Sequence, residues 1–496
     1  MRETSSDYEN VIRDLWRPAA VRKLAREMAD IAAEALGPQW GAVRRPGAEQ
    51  MAARIVKGNG RSRGLTAVVR EIQRASLHLA HPRYIAQQVA APIPASALVE
   101  PVVAAMNQSL AVWEMGPIAV AIDRDLMGRF KKLFGYPKEA EGSMLPGGAF
   151  GNLTALLAAR EALAPGATRT GRFRIAVIAG EQTHYSIARA AAILGMGRES
   201  VYRVPLDAAF RSDAARVPEA FAAARKAGFE RFILVGSAGS TPTGSFDDFP
   251  ALRSIADREG AWLHVDAAHG AGLAFSRRLR RRLEGIGAAD SIAFDPHKMM
   301  FMPLSAGGVL VRDGARLGQV LEEEAPYLFG SVRRWPDLGH LTIACSQRFD
   351  ALKVWLPWRV YGGRVWDALV THVCEVCRAA FRYCQRSEAL APLHEPQSNI
   401  LCFELRARGG TDSDRVHWEI KERLNESGYG YVSSTVLDGR RVLRLVVMNP
   451  LTQVSDVEDV LRRIEAMAGA YRQGEGAAQK SPRGSAGGPV SQGKQK

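Results

Sequence analysis

Two residues follow apolar runs, and their types suit chemistry on a carbonyl compound. Lys298 lies in the sequence FDPHKMM, and residues 299–302 after it are Met, Met, Phe and Met. Lysine prefers water, so an apolar loop favours the neutral amine that forms a Schiff base. Asp266 ends the run AWLHVD, at the edge where α/β sheets place ligands. Either an Asx turn explains it, or an ionised carboxylate faces a cation such as a protonated pyridine nitrogen.

Two weaker features accompany this pair. The segment 146–152, PGGAFGN, precedes a helix-like sequence. Glycines there let backbone N–H groups approach an anion, although a tight turn would also explain them. His184 follows a strand-like run, where an isolated histidine is usually only a polar core or surface group. Together, a phosphate cradle, a ring-stacking histidine, a carboxylate for a pyridine nitrogen and an imine-forming lysine are the parts that pyridoxal 5'-phosphate (PLP) needs.

The elements that must position these residues lie between about 145 and 315. The runs RIAVIAG, RFILVGS, AWLHVDAA, SIAFD and GGVLVRD have the length of buried strands, and alanine-rich segments such as NLTALLAAREAL lie between strand-like runs. Strands that alternate with helices predict an α/β fold with a mainly parallel sheet and helices on both faces.

The remaining sequence predicts further parts around this α/β unit. Residues 1–65 are helical in pattern, and 66–345 form the large cofactor-binding domain. Residues 346–472 join long helices to the strand-like runs NILCFELRA and RRVLRLVVM, which predicts a small α+β C-terminal domain. The tail, 473–496, is polar and rich in Gly, Ser and Lys, so we expect it to be disordered.

Composition narrows the class of protein. Of 496 residues, 47% are hydrophobic and 24% are charged, which is typical of a soluble globular chain. The net charge of +14 allows a nucleic-acid partner, but no nucleic-acid motif is present. We therefore interpret the run 277–282, RRLRRR, as a solvated helix face, with a smaller role in attracting anionic substrates left open.

The cysteines and the N-terminus indicate the compartment. Five cysteines are too few for a disulfide scaffold. Cys374 and Cys377 form a C-x-x-C pair inside a helical pattern without a second pair, so we predict a reduced helix face, with metal or redox use as the minor alternative. The first residues lack an apolar core of a secretory signal, and no run of 18 apolar residues exists. We expect a cytoplasmic protein that binds neither membrane nor metal.

Beyond these residues, whole motifs match a known family. They are HPRY (81–84), WEMGP (113–117), PGGAFGN (146–152), SAGSTPTGSFD (237–247), HVDAAHG (264–270), DPHKMM (295–300), RFDALKVW (348–355) and RLVVMNP (444–450). With them the sequence resembles the group II PLP-dependent amino acid decarboxylases of fold-type I, relatives of the glutamate, cysteine-sulfinate, aromatic-amino-acid and histidine decarboxylases, from about His81 to Ala466.

The resemblance implies roles by position. Lys298 would bind PLP through a Schiff base, and Asp266 would keep the pyridine nitrogen protonated. The other implied cofactor contacts are His184 and Ala268 on the two ring faces, Thr241 beside the ring, and Gly148, Ala149, Phe150 and His297 at the phosphate. For the substrate, Arg444 would bind the α-carboxylate and Gln87 would make a further contact. The resemblance also implies a homodimer.

Two departures from the family bear on the reaction. Asp295 stands where the family usually has Asn, so a second negative charge lies near the phosphate unless it turns away. The loop 330–345 is shorter than usual, and the tyrosine that protonates the substrate carbanion has no obvious counterpart. Trp335 and His340 are the nearest candidates, and His340 is our hypothesis for the acid.

The predicted activity is decarboxylation of an L-amino acid, with an acidic or small polar side chain favoured, to the amine and CO2. Because the loop is altered, decarboxylation-dependent oxidative deamination, aldol-type C–C cleavage and transamination stay open. A basic binding protein that keeps the fold without chemistry is disfavoured, because Lys298, Asp266 and His184 are all present.

Overall fold

The computed structural model describes residues 17–37, 42–43, 48–57, 64–321, 325, 337–406 and 413–472. The predicted disordered tail, 473–496, lies outside them, as does Trp335. The α-helices described before the first sheet are α1 (Pro18–Leu36), α2 (Ala48–Lys57), α3 (Leu65–Ala75), α4 (Pro94–Leu98), α5 (Glu100–Met106) and α6 (Pro117–Phe134).

A seven-stranded sheet forms the centre of the molecule. Its strands are β1 (Glu141–Leu145), β2 (Ile175–Gly180), β3 (Val201–Val204), β4 (Arg231–Ser237), β5 (Trp262–Ala267), β6 (Ser291–Phe294) and β7 (Gly307–Val311). The order is β1-β7-β6-β5-β4-β2-β3. Strands β2 to β6 pair in parallel, whereas β7 runs antiparallel to both β6 and β1. The predicted α/β fold with a mainly parallel sheet is confirmed.

Helices cover both faces of this sheet. They are α7 (Gly148–Leu163), α8 (Ala167–Thr170), α9 (Ser186–Ile193), α10 (Val217–Lys226), α11 (Phe249–Glu259) and α12 (Ala315–Leu321). Successive residues of β2 belong to two separate apolar clusters, one on each face of the sheet. Because both faces are buried, the strand reads as a continuous apolar run rather than an alternating one.

The C-terminal part contains a four-stranded antiparallel sheet. Its strands are β8 (Leu390–Pro392), β9 (Ile400–Leu405), β10 (Ser433–Leu437) and β11 (Arg440–Val446), in the order β10-β11-β9-β8. The accompanying helices are α13 (Ala351–Tyr361), α14 (Arg364–Arg386), α15 (Ser413–Glu426) and α16 (Val454–Arg472). The segment around Tyr84 also pairs with Tyr431, so chain from before the large sheet contacts this region. The domain boundaries themselves stay a prediction.

Two local predictions can be compared with the structure. Cys374 and Cys377 are buried, unpaired thiols on α14, as a reduced helix face requires. The arginine run is not an α-helix face. Residues Arg280–Leu283 form one 3-10 turn, and the two preceding arginines, Arg277 and Arg278, form ion pairs with carboxylates of α14. No helix among the described residues is long and apolar enough to cross a membrane.

Candidate active site

A cavity lies beside the C-terminal ends of β4, β5 and β6. It encloses about 380 Å³, open mouth included. Parallel strands bring their carboxyl ends to one edge of a sheet, where crevices form. Its lining residues are Gly148, Ala149, Asn152, His184, Ser237, Gly239, Ser240, Thr241, Asp266, Ala268, His269 and Lys298. The predicted lysine and carboxylate therefore share one cavity.

Lys298 follows β6 in a loop whose apolar residues are anchored in the core. Residues Met299–Met302 are buried, so the backbone beside Lys298 is fixed, while the lysine side chain is 21% exposed. The Lys298 Nζ lies 3.1 Å from Oδ2 of Asp295. The other Asp295 oxygen, Oδ1, is buried and has no hydrogen-bond partner among the described residues. The unexpected aspartate thus faces the lysine.

Asp266 occupies the end of β5, opposite Ser237 of β4 in the parallel register. Its Oδ1 accepts a hydrogen bond from the Ala268 backbone N–H at 3.0 Å. Its Oδ2 accepts one from Asn152 Nδ2 at 2.9 Å. Two donors hold the buried carboxylate in place, and no cation forms an ion pair with it in the described part of the chain.

His184 lies at the start of α9 and presents its ring to the cavity. Its Nδ1 accepts hydrogen bonds from Ser186, from the backbone N–H at 3.3 Å and from the hydroxyl at 2.7 Å. With Nδ1 as acceptor, the ring proton resides on Nε2. Burial lowers the pKa of His184, so the ring is neutral near pH 7.

The glycine segment forms the N-terminus of α7. Phe150 N–H already donates to the Gly147 carbonyl, whereas no acceptor for the N–H groups of Gly148 and Ala149 lies among the described residues. Free N–H groups at a positive helix end bind anions. A Cβ at Gly148 would meet Asp295 Oδ2 at 2.9 Å, so Asp295 lies directly beside this helix end. His297 Nδ1 accepts from Ala306 N–H at 3.0 Å.

Arg444 lies behind the cavity wall. Its guanidinium is buried on β11 and donates to the carbonyls of Thr241 at 2.7 Å and Pro242 at 3.0 Å, to the Ala86 carbonyl at 3.4 Å, and to Ser433 Oγ at 3.2 Å. Burial lowers its pKa to about 10. Thr241 lines the cavity, but Arg444 and the exposed Gln87 do not.

The structure does not bring every predicted residue to the cavity. His340 is buried in the 3-10 helix Leu338–Leu341, whose Gly339 N–H donates to the Ala111 carbonyl. It is absent from the lining, as are the side chains of Phe150 and His297. Their roles stay predictions.

Several lining residues were missed from sequence. Asn152 closes the PGGAFGN segment, Ser237 and Ser240 belong to the SAGS motif, and His269 lies in HVDAAHG. Each stands inside a motif already recognised, so the signal was its position after a strand or at a helix start. His269 Nε2 hydrogen-bonds Asn399 Oδ1 at 2.8 Å, and burial lowers its pKa to about 3.

These residues fit PLP. The helix end offers N–H groups to a phosphate, and Asp266 offers a carboxylate without a paired cation to a protonated ring nitrogen. Lys298 supplies the amine, and the buried Asp295 oxygen shows that the wall here is polar and incompletely hydrogen-bonded. Among the described residues, no group of three or more His, Cys, Asp or Glu could hold a metal ion.

Comparisons with known proteins agree with this geometry. Residues 66–406 match the model of the pyridoxal-dependent decarboxylase conserved domain. The chain is 32% identical over 410 residues to L-2,4-diaminobutyrate decarboxylase of Rhizobium meliloti, covering 81% of each. It is 27% identical to cysteine sulfinic acid decarboxylase of Mus musculus, covering 80% of this chain and 84% of that one.

Solved structures show the same fold. The crystal structure of mouse CSAD in apo form superposes with a TM-score of 0.84 at 25% identity, covering 91% of this chain and 99% of that chain. The cofactor is PLP, and the enzyme class is that of amino acid decarboxylases, so the predicted resemblance is confirmed. The chain belongs to the family of pyridoxal-dependent decarboxylases.

Proposed function

We propose that this enzyme decarboxylates an L-amino acid with an acidic or small polar side chain, releasing the amine and CO2. The observation that carries the proposal is the meeting of Lys298, Asp266 and the free N–H groups of α7 around one cavity. Both sequence relatives described above bear decarboxylase names, which support decarboxylation over oxidative deamination, C–C lyase activity or transamination.

In this proposal each residue has one task. PLP, when bound, supplies an electron sink for the bond that breaks at the substrate α-carbon. Asp266 stabilises the protonated ring nitrogen by a charge-assisted hydrogen bond in a low-dielectric site. Lys298 supplies the amine that attaches the cofactor. The remaining proposed cofactor contacts are His184, Ala268, Thr241, Gly148, Ala149, Phe150 and His297.

Arg444 supports a substrate that carries a carboxylate. Its charge is buried, all its described acceptors are neutral, and its Nη2 contacts the backbone of the lining residue Thr241. A buried cation without a counter-charge favours an anion that arrives with the ligand. Gln87 follows Ala86, whose carbonyl accepts from the same guanidinium, so we propose it as the neighbouring substrate contact.

The acid that returns a proton to the α-carbon is proposed to be His340. Decarboxylation replaces CO2 by a proton, so one acid group must reach the α-carbon. Segment 337–345 carries His340, and histidine is the side chain that most often transfers protons in general acid–base catalysis.

We also propose that the enzyme is a cytoplasmic homodimer. Helix α3 has no buried residue and exposes Leu65 and Ile72, at 59% and 48%. Such an apolar face favours a second copy of the chain. Five unpaired cysteines suit a reducing compartment. Light scattering at micromolar concentration should give twice the mass of 54.0 kDa.

The test is a panel of L-amino acids assayed for CO2 and for the organic product. We expect CO2 and amine in equal amounts, fastest with an acidic or small polar substrate. Borohydride reduction followed by peptide mapping should mark Lys298 and leave the fully buried Lys353, which pairs with Asp350, unmarked. Aldehyde with ammonia as the main products, or a mark elsewhere, would contradict the proposal.

A further inference from the structure

Behind Asp266 runs a continuous chain of buried hydrogen bonds that reaches deep into the sheet. Trp262 Nε1 donates to Ser291 Oγ at 2.9 Å, and Ser291 Oγ lies 2.9 Å from His264 Nδ1. His264 Nε2 lies 2.9 Å from Asn152 Oδ1. Asn152 Nδ2 then donates to Asp266 Oδ2 at 2.9 Å. We call these five residues the buried relay.

Chemistry at the two ends fixes the direction of every bond in the relay. An indole N–H can only donate, and a carboxylate can only accept. Asp266 accepts from Asn152 Nδ2, so Asn152 Oδ1 faces His264 and must accept from its Nε2–H. Ser291 accepts from Trp262, and in a neutral His264 ring the Nδ1 lone pair accepts from the Ser291 hydroxyl. Burial lowers the pKa of His264 to about 4, which agrees with a neutral ring.

Asn152 distributes the end of the relay to both sides of the cavity. One N–H goes to Asp266, and the other goes to Ser186 Oγ at 2.8 Å. Ser186 in turn donates to Nδ1 of His184 at 2.7 Å. The relay thereby fixes the Asp266 carboxylate at one wall of the cavity and the tautomer of His184 at another.

The position of Asn152 depends on close packing of α7 on the sheet. A Cβ at Gly151 would meet Ala293 Cβ at 2.9 Å and the Gly308 carbonyl at 3.0 Å. Only glycine lets the helix approach this closely, and the approach lets the next residue reach His264 in β5. Asn152 and His264 are themselves almost fully buried, so water cannot replace either partner.

We propose that His264 and Asn152 are positioning residues that hold the Asp266 carboxylate in the state and orientation that a cationic ring nitrogen needs. Without the His264 donor, the Asn152 amide could turn its oxygen toward Asp266 Oδ2, where two acceptors repel each other. A carboxylate that has lost one of its two donors is free to rotate, so its oxygen would no longer be held in line with the ring nitrogen. The inference rests on the proposed role of Asp266.

The experiment compares two cofactors on the full-length protein. One is PLP, and the other is the analogue whose ring nitrogen is replaced by carbon. The ratio of the analogue's dissociation constant to that of PLP measures only the interaction at the ring nitrogen, because both cofactors carry the same phosphate and aldehyde. A large ratio means that the protein prefers PLP. The variants are His264→Phe, Asn152→Ala and the milder Ser291→Ala, with Asp266→Asn as the reference for complete loss.

We expect the wild type to favour PLP strongly. His264→Phe and Asn152→Ala should reduce the ratio by roughly tenfold, the factor that corresponds to about 1.4 kcal/mol, while leaving the affinity for the analogue within about twofold. Ser291→Ala should reduce the ratio less, because its partner is one bond further from Asp266. The matched control is His417→Phe, a buried histidine of α15 that accepts from Leu405 N–H, and it should leave the ratio unchanged.

Each other outcome is informative. Equal loss of affinity for both cofactors, or an unchanged ratio in the two main variants, would overturn the positioning role. If His264→Phe does not fold, Ser291→Ala and Asn152→Ala decide, and an unchanged ratio in both rejects the inference. A wild type that does not distinguish the cofactors would instead reject the role proposed for Asp266.

Discussion

Replacing Arg444 tests most directly whether this arginine binds the substrate carboxylate. We consider Arg444→Met, which removes the charge and every donor, and Arg444→Lys, which keeps the charge but loses the planar set of guanidinium donors. The guanidinium now donates to three carbonyls and one hydroxyl. Its two short bonds, to Thr241 and Pro242, tie the cavity wall to β11.

The structure gives a modest stability cost for Arg444→Met. A hydrogen bond to a charged group contributes about 1.5–3 kcal/mol, and two of the four bonds are short. Burial opposes this gain, because lowering the pKa from 12.5 to about 10 corresponds to about 3 kcal/mol. The net loss of stability is therefore about 0–3 kcal/mol, which a folded enzyme can tolerate.

The effect on substrate should be larger. Removing one partner of a buried charge pair costs about 2–5 kcal/mol, so kcat/KM should fall by at least about 30-fold in Arg444→Met. The kcat/KM of Arg444→Lys should lie between those of the wild type and Arg444→Met, since the ammonium keeps the electrostatic attraction without the paired donors. Steady-state kinetics on the best amino acid, combined with thermal unfolding of the same samples, separates the two effects.

Arg124→Met is the matched control, because Arg124 is part-buried and pairs with Glu141 at the edge of the sheet. It should lower the melting temperature and leave kcat/KM unchanged. Arg444 would be purely structural if Arg444→Met lowered the melting temperature while kcat/KM stayed within about threefold of wild type. A threefold change corresponds to about 0.7 kcal/mol of transition-state stabilisation.

Three further substitutions have defined outcomes. Asp295→Asn keeps the shape beside Lys298 but removes a negative charge at the anion-binding helix end, so PLP should bind up to about tenfold tighter by equilibrium dialysis; weaker binding would show that the carboxylate organises the lysine. His340→Phe should lower kcat by about 10²–10⁴-fold if this residue is the acid, and unchanged turnover and product would remove it. Burial raises the pKa of Asp123 to about 7, above its unfolded value. The free energy of unfolding of the wild type therefore falls as pH rises from about 4 to 7. Asp123→Asn should therefore gain stability over wild type between pH 5 and pH 8 in urea unfolding, by about 3 kcal/mol; a constant difference across that range would contradict the assignment.

Sequence patterns were sufficient for the strands that are buried on both faces. RIAVIAG and RFILVGS are continuous apolar runs, and they form β2 and β4 almost residue for residue. The strands SSTVL (β10) and EGSML (β1) carry polar residues and were not predicted, because antiparallel neighbours, rather than apolar content, hold them in place.

The cavity residues that could be predicted are those that stand at or just after the end of a single strand. Asp266 and Lys298 each follow an apolar run, and parallel strands bring such ends together. The contact between His264 and Asn152 could not be predicted, because it spans 112 positions of the chain and depends on how closely α7 packs. A histidine inside an apolar run carries no signal of its partner.

Two buried charges at this site share one physical feature. Asp266 is held by N–H donors and Arg444 by carbonyl acceptors, and neither forms an ion pair within the described residues. Dipoles keep such charges in place but do not neutralise them, and an unpaired buried charge is costly. We propose that ligands bring the missing charges, a ring cation to Asp266 and a carboxylate to Arg444. Both ligands should therefore stabilise the fold, and a substitution of Asp266 or Arg444 should weaken the stabilisation by its own ligand.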